Sequence, residues 1–176
     1  GSELQLALAA AAAAGVPVDI RLRPMELTLT AATVGASGFV VPSNCRLIGG
    51  GRTVSRLIGT DGGAAAATQT VVTLGPGASI EDLAVESPAP TTAPAGAQVG
   101  VVEAEADGKV LRCEVTLVGS VAFNRTATTG INFALLSGGE LVDDCLLLID
   151  SLFDQPFPAA SVGVLFGQAA VSGFTD

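Results

Sequence analysis

Apolar and polar residues change their rhythm once, near the start of the chain. Glu3–Ala14 is almost entirely Ala and Leu, the strongest helix formers, and Gly15 supplies a stop. This run predicts a helix of about three turns. Beyond it the helical period is lost. Short apolar runs follow at Asp19–Leu22, Glu26–Thr30, Gly38–Val41, Cys45–Ile48, Ser55–Gly59 and Thr70–Leu74, separated by Gly, Pro, Ser and Asn. Many short strands broken by turn residues predict an all-β architecture.

An internal repeat selects the kind of β fold. Thr70-Val71-Val72, Gly100-Val101-Val102, Gly130-Ile131-Asn132 and Gly163-Val164-Leu165 begin at intervals of 30, 30 and 33 residues. Each leads through a glycine-bearing turn (Gly75-Pro76-Gly77, Asp107-Gly108, Gly138-Gly139, Gly167) to a second apolar run beginning at Ile80, Val110, Val142 and Val171. A short strand cannot bury its apolar face alone, but stacked coils give it neighbours about 4.8 Å above and below. The chain therefore reads as a single-stranded, right-handed parallel β-helix with a short N-terminal capping α-helix. An antiparallel sandwich would show hairpin spacing instead.

Two inward ladders follow, Ile80–Val110–Val142–Val171 and Leu83–Cys113–Cys145–Phe174. Ile80 and Leu83 are three residues apart, so strict alternation cannot bury both. Tight bends at Asp82, Arg112, Asp144 and Ser172-Gly173 resolve the parity. Arg112 is the unusual bend residue. The irregular stretches Ser87–Gln98, Val118–Thr129 and Asp150–Ser161 fall at one point of each coil, so they are expected to stack along one edge. Gly1-Ser2 reads as a vector remnant, 3–15 as the capping helix and 16–176 as the β-helix. Val171–Asp176 reads as mid-coil, so a helix truncated at its C-terminal end is expected.

Composition narrows the chemistry. The chain is 49% hydrophobic and 14% charged, too apolar for disorder and sparse enough in charge to imply that partners cover some surface. Its net charge of −9 opposes nucleic acid and anionic membranes. The Ala-rich run is too short to span a bilayer, so membrane insertion is not expected. With no His, Trp or Tyr, His-based triads, His-ligated metals and Trp or Tyr stacking platforms are excluded. Cys45, Cys113 and Cys145 fit no short metal-ligand spacing and read as buried free thiols, although Cys113 and Cys145 as ladder neighbours fall in disulfide range.

The stretch Glu3–Gly63 resembles the opening of the pectate-lyase-like superfamily. LQLALAAAAAAGVPVDIRLRPMELTLT follows that family's Ala-rich helix and Pro-bearing turn, VVPSNCRLIGGGRTVSRLIGT its next strands, and VVTLGPGASIEDLAV its coil consensus. The resemblance runs from residue 3 to about 176 and is greatest to bacteriophage tailspike and tail-fibre β-helix domains. It implies a bacterial surface polysaccharide as partner, bound or degraded, a parallel homotrimer, and a place in a virion tail or outside the cell. A secreted polysaccharide lyase or glycoside hydrolase working through carboxylates, with Ca²⁺ as its one conceivable cofactor, is the alternative. A purely structural stem is the third reading, because this fold hosts many activities and some non-enzymes.

Candidate sites follow from the coil positions. Gly49-Gly50-Gly51-Arg52-Thr53 is glycine-rich but leads into a strand, so it reads as a coil turn and not a phosphate cradle. Asp82, Arg112 and Asp144 alternate in sign along the stack, so Arg112 can pair with an acid on either side or polarise a substrate. Glu81 and Asp143 are equivalent acids roughly 10 Å apart with Leu111 between them. Glu103 and Glu105 share an outward face about 7 Å apart, the separation an inverting glycosidase pair needs. Leu146 and Leu148 alternate outward and form an apolar patch that Phe153 and Phe157 extend. Leu146 and Leu148 are the candidate oligomer interface, the alternative being a loop of the same chain folded back over them.

Overall fold

The computed structural model describes residues 2–29, 38–59, 68–89, 98–118, 127–134, 136–149 and 160–166. Helix α1 spans Ser2–Ala14. Leu4, Leu8 and Ala11, one stripe at helical spacing, are buried in the common core, so α1 covers the first coil. Gly15 follows with φ 63°, the left-handed residue that closes a helix.

Among the described residues, every strand after α1 belongs to one of three parallel five-stranded sheets. Sheet A holds β1 (Asp19–Arg21), β4 (Arg46–Ile48), β7 (Ser79–Glu81), β10 (Lys109–Leu111) and β13 (Leu141–Asp143). Sheet B holds β2 (Met25–Thr28), β5 (Ser55–Ile58), β8 (Ala84–Ser87), β11 (Glu114–Leu117) and β14 (Leu146–Ile149). Sheet C holds β3 (Phe39–Val41), β6 (Thr68–Leu74), β9 (Gln98–Ala104), β12 (Ala127–Phe133) and β15 (Ala160–Phe166). The chain visits A, B and C in turn, each circuit forming one coil, so the molecule is a parallel β-helix.

The core is built of ladders. In sheet A, Ile20, Leu47, Ile80, Val110 and Val142 stack in register. In sheet B the ladder is Leu27, Leu57, Val85, Val115 and Leu147. In sheet C, Val41, Leu74, Ala104 and Phe133 stack, and the backbone of β15 continues the register above them. Small Ala104 leaves room for Phe133, whose ring lies against Gly108, and Phe133 is fully buried. Val171 and Phe174, the expected tops of two ladders, lie outside the described residues.

Three of the four parity bends form as expected, and the fourth, Ser172-Gly173, lies outside the described residues. Asp82, Arg112 and Asp144 have φ of 53°, 52° and 47°, and the left-handed turn carries Leu83 and Cys113 back into the core. The glycine-rich segment after β4 is a turn between sheets A and B. The Gly50 N–H donates to the buried Ser55 Oγ at 2.8 Å, and β5 follows directly. At Gly49 a Cβ would lie 2.3 Å from the Asp82 carbonyl oxygen of the next coil, so only glycine fits there.

One repeat alignment needs correction. Ile131, not Asn132, stacks on Val102, so Gly130 lies opposite Val101 and not Gly100. The interval between these two coils is therefore 29 residues in sheet C (102 to 131). A spacing of 30 would have turned Asn132 into the apolar core, and a one-residue slip reverses every side chain of a strand.

Candidate functional site

Among the described residues, the outer face of sheet A carries the densest polar network. Alternation puts Leu47, Ile80 and Val110 inside, so Arg46, Glu81 and Lys109 face outward. Glu81 is nevertheless only 5% exposed, because cations close over it. Arg46 donates to it twice, Nε to Oε1 at 2.9 Å and an Nη to Oε2 at 3.0 Å. The Ser79 hydroxyl donates to Oε1 at 3.0 Å, and an Arg112 Nη donates to Oε2 at 3.2 Å. The Arg46 hydrogen bonds, more than any other contact, hold the Glu81 carboxyl below the usual glutamate range.

The network extends at both ends. Arg46 reaches Asp19 in the coil below at 3.3 Å. Arg112 bonds Asp82 through both carboxylate oxygens, at 2.8 and 2.9 Å, and this fork lowers the Asp82 pKa. Asp19, Arg46, Glu81, Arg112 and Asp82 thus form one ladder across the coils. The expected alternation is half realised. Arg112 pairs downward with Asp82 and Glu81, and no ion pair joins it to Asp144 among the described residues. A shorter ladder crosses sheet B, where Arg56 binds Glu86 and lies 3.7 Å from Glu26.

The proposed carboxylate pairs look different in three dimensions. Glu81 and Asp143 do occupy equivalent positions on either side of Leu111, but Glu81 is caged while Asp143 is exposed. Their environments share nothing beyond the ladder position. Glu103 lies in sheet C between Thr73 and Asn132, and the Asn132 amide donates to its Oε2 at 2.6 Å. Burial raises the Glu103 pKa against that hydrogen bond. Glu105 falls one residue past the end of β9 and is exposed. It lines a depression of about 450 Å³ between the end of α1 and the turns at Asn44 and Pro76.

Leu146 and Leu148 stand outward as expected, 42% and 44% exposed, in register with Glu114 and Thr116 below. Leu141 of the same coil is 45% exposed. Phe153 and Phe157, expected to extend this patch, lie outside the described residues. Among the described residues, no three or more Cys, Asp or Glu side chains are grouped as a metal site. No described helix is long and apolar enough to cross a membrane.

The sequence reading missed Arg46 and Arg56. Both were visible as lone cations inside apolar runs. Their partners, 27 to 35 residues away in the chain, emerge only when strands of neighbouring coils are set in register. No family model, no curated protein and no solved structure matches the chain.

Proposed function

We propose that this chain is a β-helical domain of the tailspike or tail-fibre kind, within the pectate-lyase-like group, and that it binds a bacterial surface polysaccharide along the outer face of sheet A. The observation that carries this reading is the clustering of cations there. Arg21, Arg46, Lys109 and Arg112 are half of the chain's eight basic residues, although the protein as a whole is acidic. Arg46 and Arg112 remain 47% and 44% exposed while bound to acids, so their outer N–H groups can still reach a ligand. Arg and Asp stacked at the coil rise of about 4.8 Å offer a row of donors and acceptors. That rise is close to the length of one sugar ring in an extended chain. Polysaccharide hydroxyls and carboxylates are the chemistry such a row recognises. The outward leucines of β14 support assembly into a homotrimer in the same reading.

A second reading, a polysaccharide lyase or hydrolase, draws on Glu103. A half-buried carboxyl with a raised pKa is suited to hold a proton for transfer. Caged Glu81 is a poor base by the same reasoning.

Binding of purified bacterial capsular and lipopolysaccharide chains, followed by calorimetry, separates the readings. The proposal expects saturable binding that weakens in Lys109→Gln and Arg21→Gln while the circular dichroism spectrum is unchanged. New reducing ends or unsaturated sugars, lost in Glu103→Gln, would support the enzyme instead. No binding across a broad panel would leave the structural stem.

A further inference from the structure

Cys113 and Cys145 occupy one position in consecutive coils. They are bracketed by the register pairs Leu111↔Asp143 and Glu114↔Leu146. The Leu146 N–H donates to the Cys113 carbonyl at 2.9 Å, so the two backbones run side by side at this point. Neighbouring parallel strands lie about 4.8 Å apart, inside the ~4.4–6.8 Å range of Cα separations that a disulfide spans. Both thiols are free. They lean the same way: Cys113 Sγ lies 3.6 Å from the Ile80 carbonyl oxygen and Cys145 Sγ 3.3 Å from that of Val110, each in the coil below. Cys145 therefore already points toward the Cys113 coil.

The two thiols differ in access. Cys113 is fully buried, whereas Cys145 is half-buried in a coil whose outer leucines are exposed. Contact with the Cys113 thiol holds the Cys145 thiol below its ordinary range, while that contact and burial push Cys113 up. Cys145 is thus the side chain that meets a reagent first. Cys45 stands apart, buried with its Sγ 3.9 Å from the Val16 carbonyl oxygen beneath α1.

We propose that Cys113 and Cys145 form an oxidisable pair that a small disulfide such as oxidised glutathione converts into an intrachain disulfide, stapling the β13–β14 coil to the β10–β11 coil. The Cys145 thiolate attacks one glutathione sulfur. The Cys145–glutathione bond forms, the glutathione disulfide breaks, and one glutathione leaves as thiolate. The Cys113 sulfur then attacks Cys145 Sγ, forming the Cys113–Cys145 bond and expelling the second glutathione. The two protons of the protein thiols end on the two glutathiones, so the protein is oxidised by two electrons and one glutathione disulfide is reduced. The crosslink closes a loop of about thirty residues and restricts the unfolded chain. It also ties down a coil with three exposed leucines.

The full chain is treated with oxidised glutathione, alkylated under denaturing conditions and analysed by peptide mass spectrometry. The expected product has lost two hydrogens, links the Cys113 and Cys145 peptides, and carries alkyl only on Cys45. Its thermal midpoint exceeds that of the reduced protein. In Cys113→Ser a glutathione adduct persists on Cys145, and in Cys145→Ser no crosslink and no midpoint shift appear. Alkylation of all three cysteines in the wild type, a lasting adduct on wild-type Cys145, or a crosslink between chains overturns the proposal.

Discussion

Arg112 and Asp82 both sit in the left-handed region of backbone space, at φ 52° and 53°, and are joined one coil apart by a two-bonded ion pair. Asp tolerates this backbone through local hydrogen bonding, whereas Arg has no such compensation. The fork to Asp82 and the third bond to Glu81 supply it.

These two contributions can be separated by substitution. Arg112→Ala removes the ion pairs and keeps the strained backbone. Arg112→Gly removes the pairs and relieves the strain. Thermal unfolding is expected to place both below wild type, with Gly several degrees above Ala. Equal midpoints would show that the bend is unstrained.

Glu81 anchors two arginines from a nearly buried position. Glu81→Ala leaves Arg46 and Arg112 facing each other without their shared acid. A loss of about 1–3 kcal/mol in urea unfolding at neutral pH is expected. The folded pKa of Glu81 is depressed, so its contribution is complete above the ordinary glutamate range and vanishes as pH falls through the lower folded value. The difference between Glu81→Ala and wild type is therefore expected to shrink in acid.

Glu103 behaves in the opposite sense. Burial raises its folded pKa, so the ionised carboxylate opposes folding at neutral pH. That cost fades as pH falls through the raised value and is gone below the ordinary range. Glu103→Gln keeps an acceptor for the Asn132 amide and is expected to raise the thermal midpoint at neutral pH. In acid the gain disappears. A midpoint unchanged at every pH would contradict the burial of charge.

Phe133 fills the space above Ala104 in the sheet C ladder. Phe133→Ala is expected to cost about 3–5 kcal/mol, read from denaturant midpoints at constant slope. Ala104→Leu is expected to cost about 1–3 kcal/mol by overfilling the same layer. The double variant Ala104→Leu/Phe133→Ala should then recover part of the loss, because the two sites share one volume.

Leu146 and Leu148 present an apolar edge on the outer face of sheet B. If the chain is a trimer through this edge, Leu146→Asp/Leu148→Asp is expected to dissociate it to monomers by light scattering with the β-sheet spectrum retained. A wild-type monomer would remove the interface reading altogether.

The coil architecture was legible in the chain because its signals are local and repeated. Ala-rich α1 and its Gly15 stop, the glycine turns and the bends at Asp82, Arg112 and Asp144 depend on backbone preference and recur at nearly constant spacing. The slip at Gly130 shows where repetition misleads. Glycine-plus-aliphatic starts look alike, and only the burial of Ile131 and Phe133 decides which of two adjacent registers holds. The same decision turns Asn132 outward onto Glu103, a contact that the 30-residue alignment hides.

The sequence by itself determined that the chain winds into a parallel β-helix capped by α1, because short apolar strands repeat at about thirty residues and not at hairpin spacing. It also determined that any chemistry falls to carboxylates, Arg, Lys, Ser, Thr or Cys, since no His, Trp or Tyr is present. Tertiary structure alone decided what those groups do. Arg46, Glu81 and Arg112 come from three coils, and Coulombic pairing depends on distances that no linear spacing states. Those neighbours bury Glu81 as the shared counter-ion of Arg46 and Arg112. Partial burial set Glu103 apart from exposed Glu105, although the two are only two residues apart in the chain.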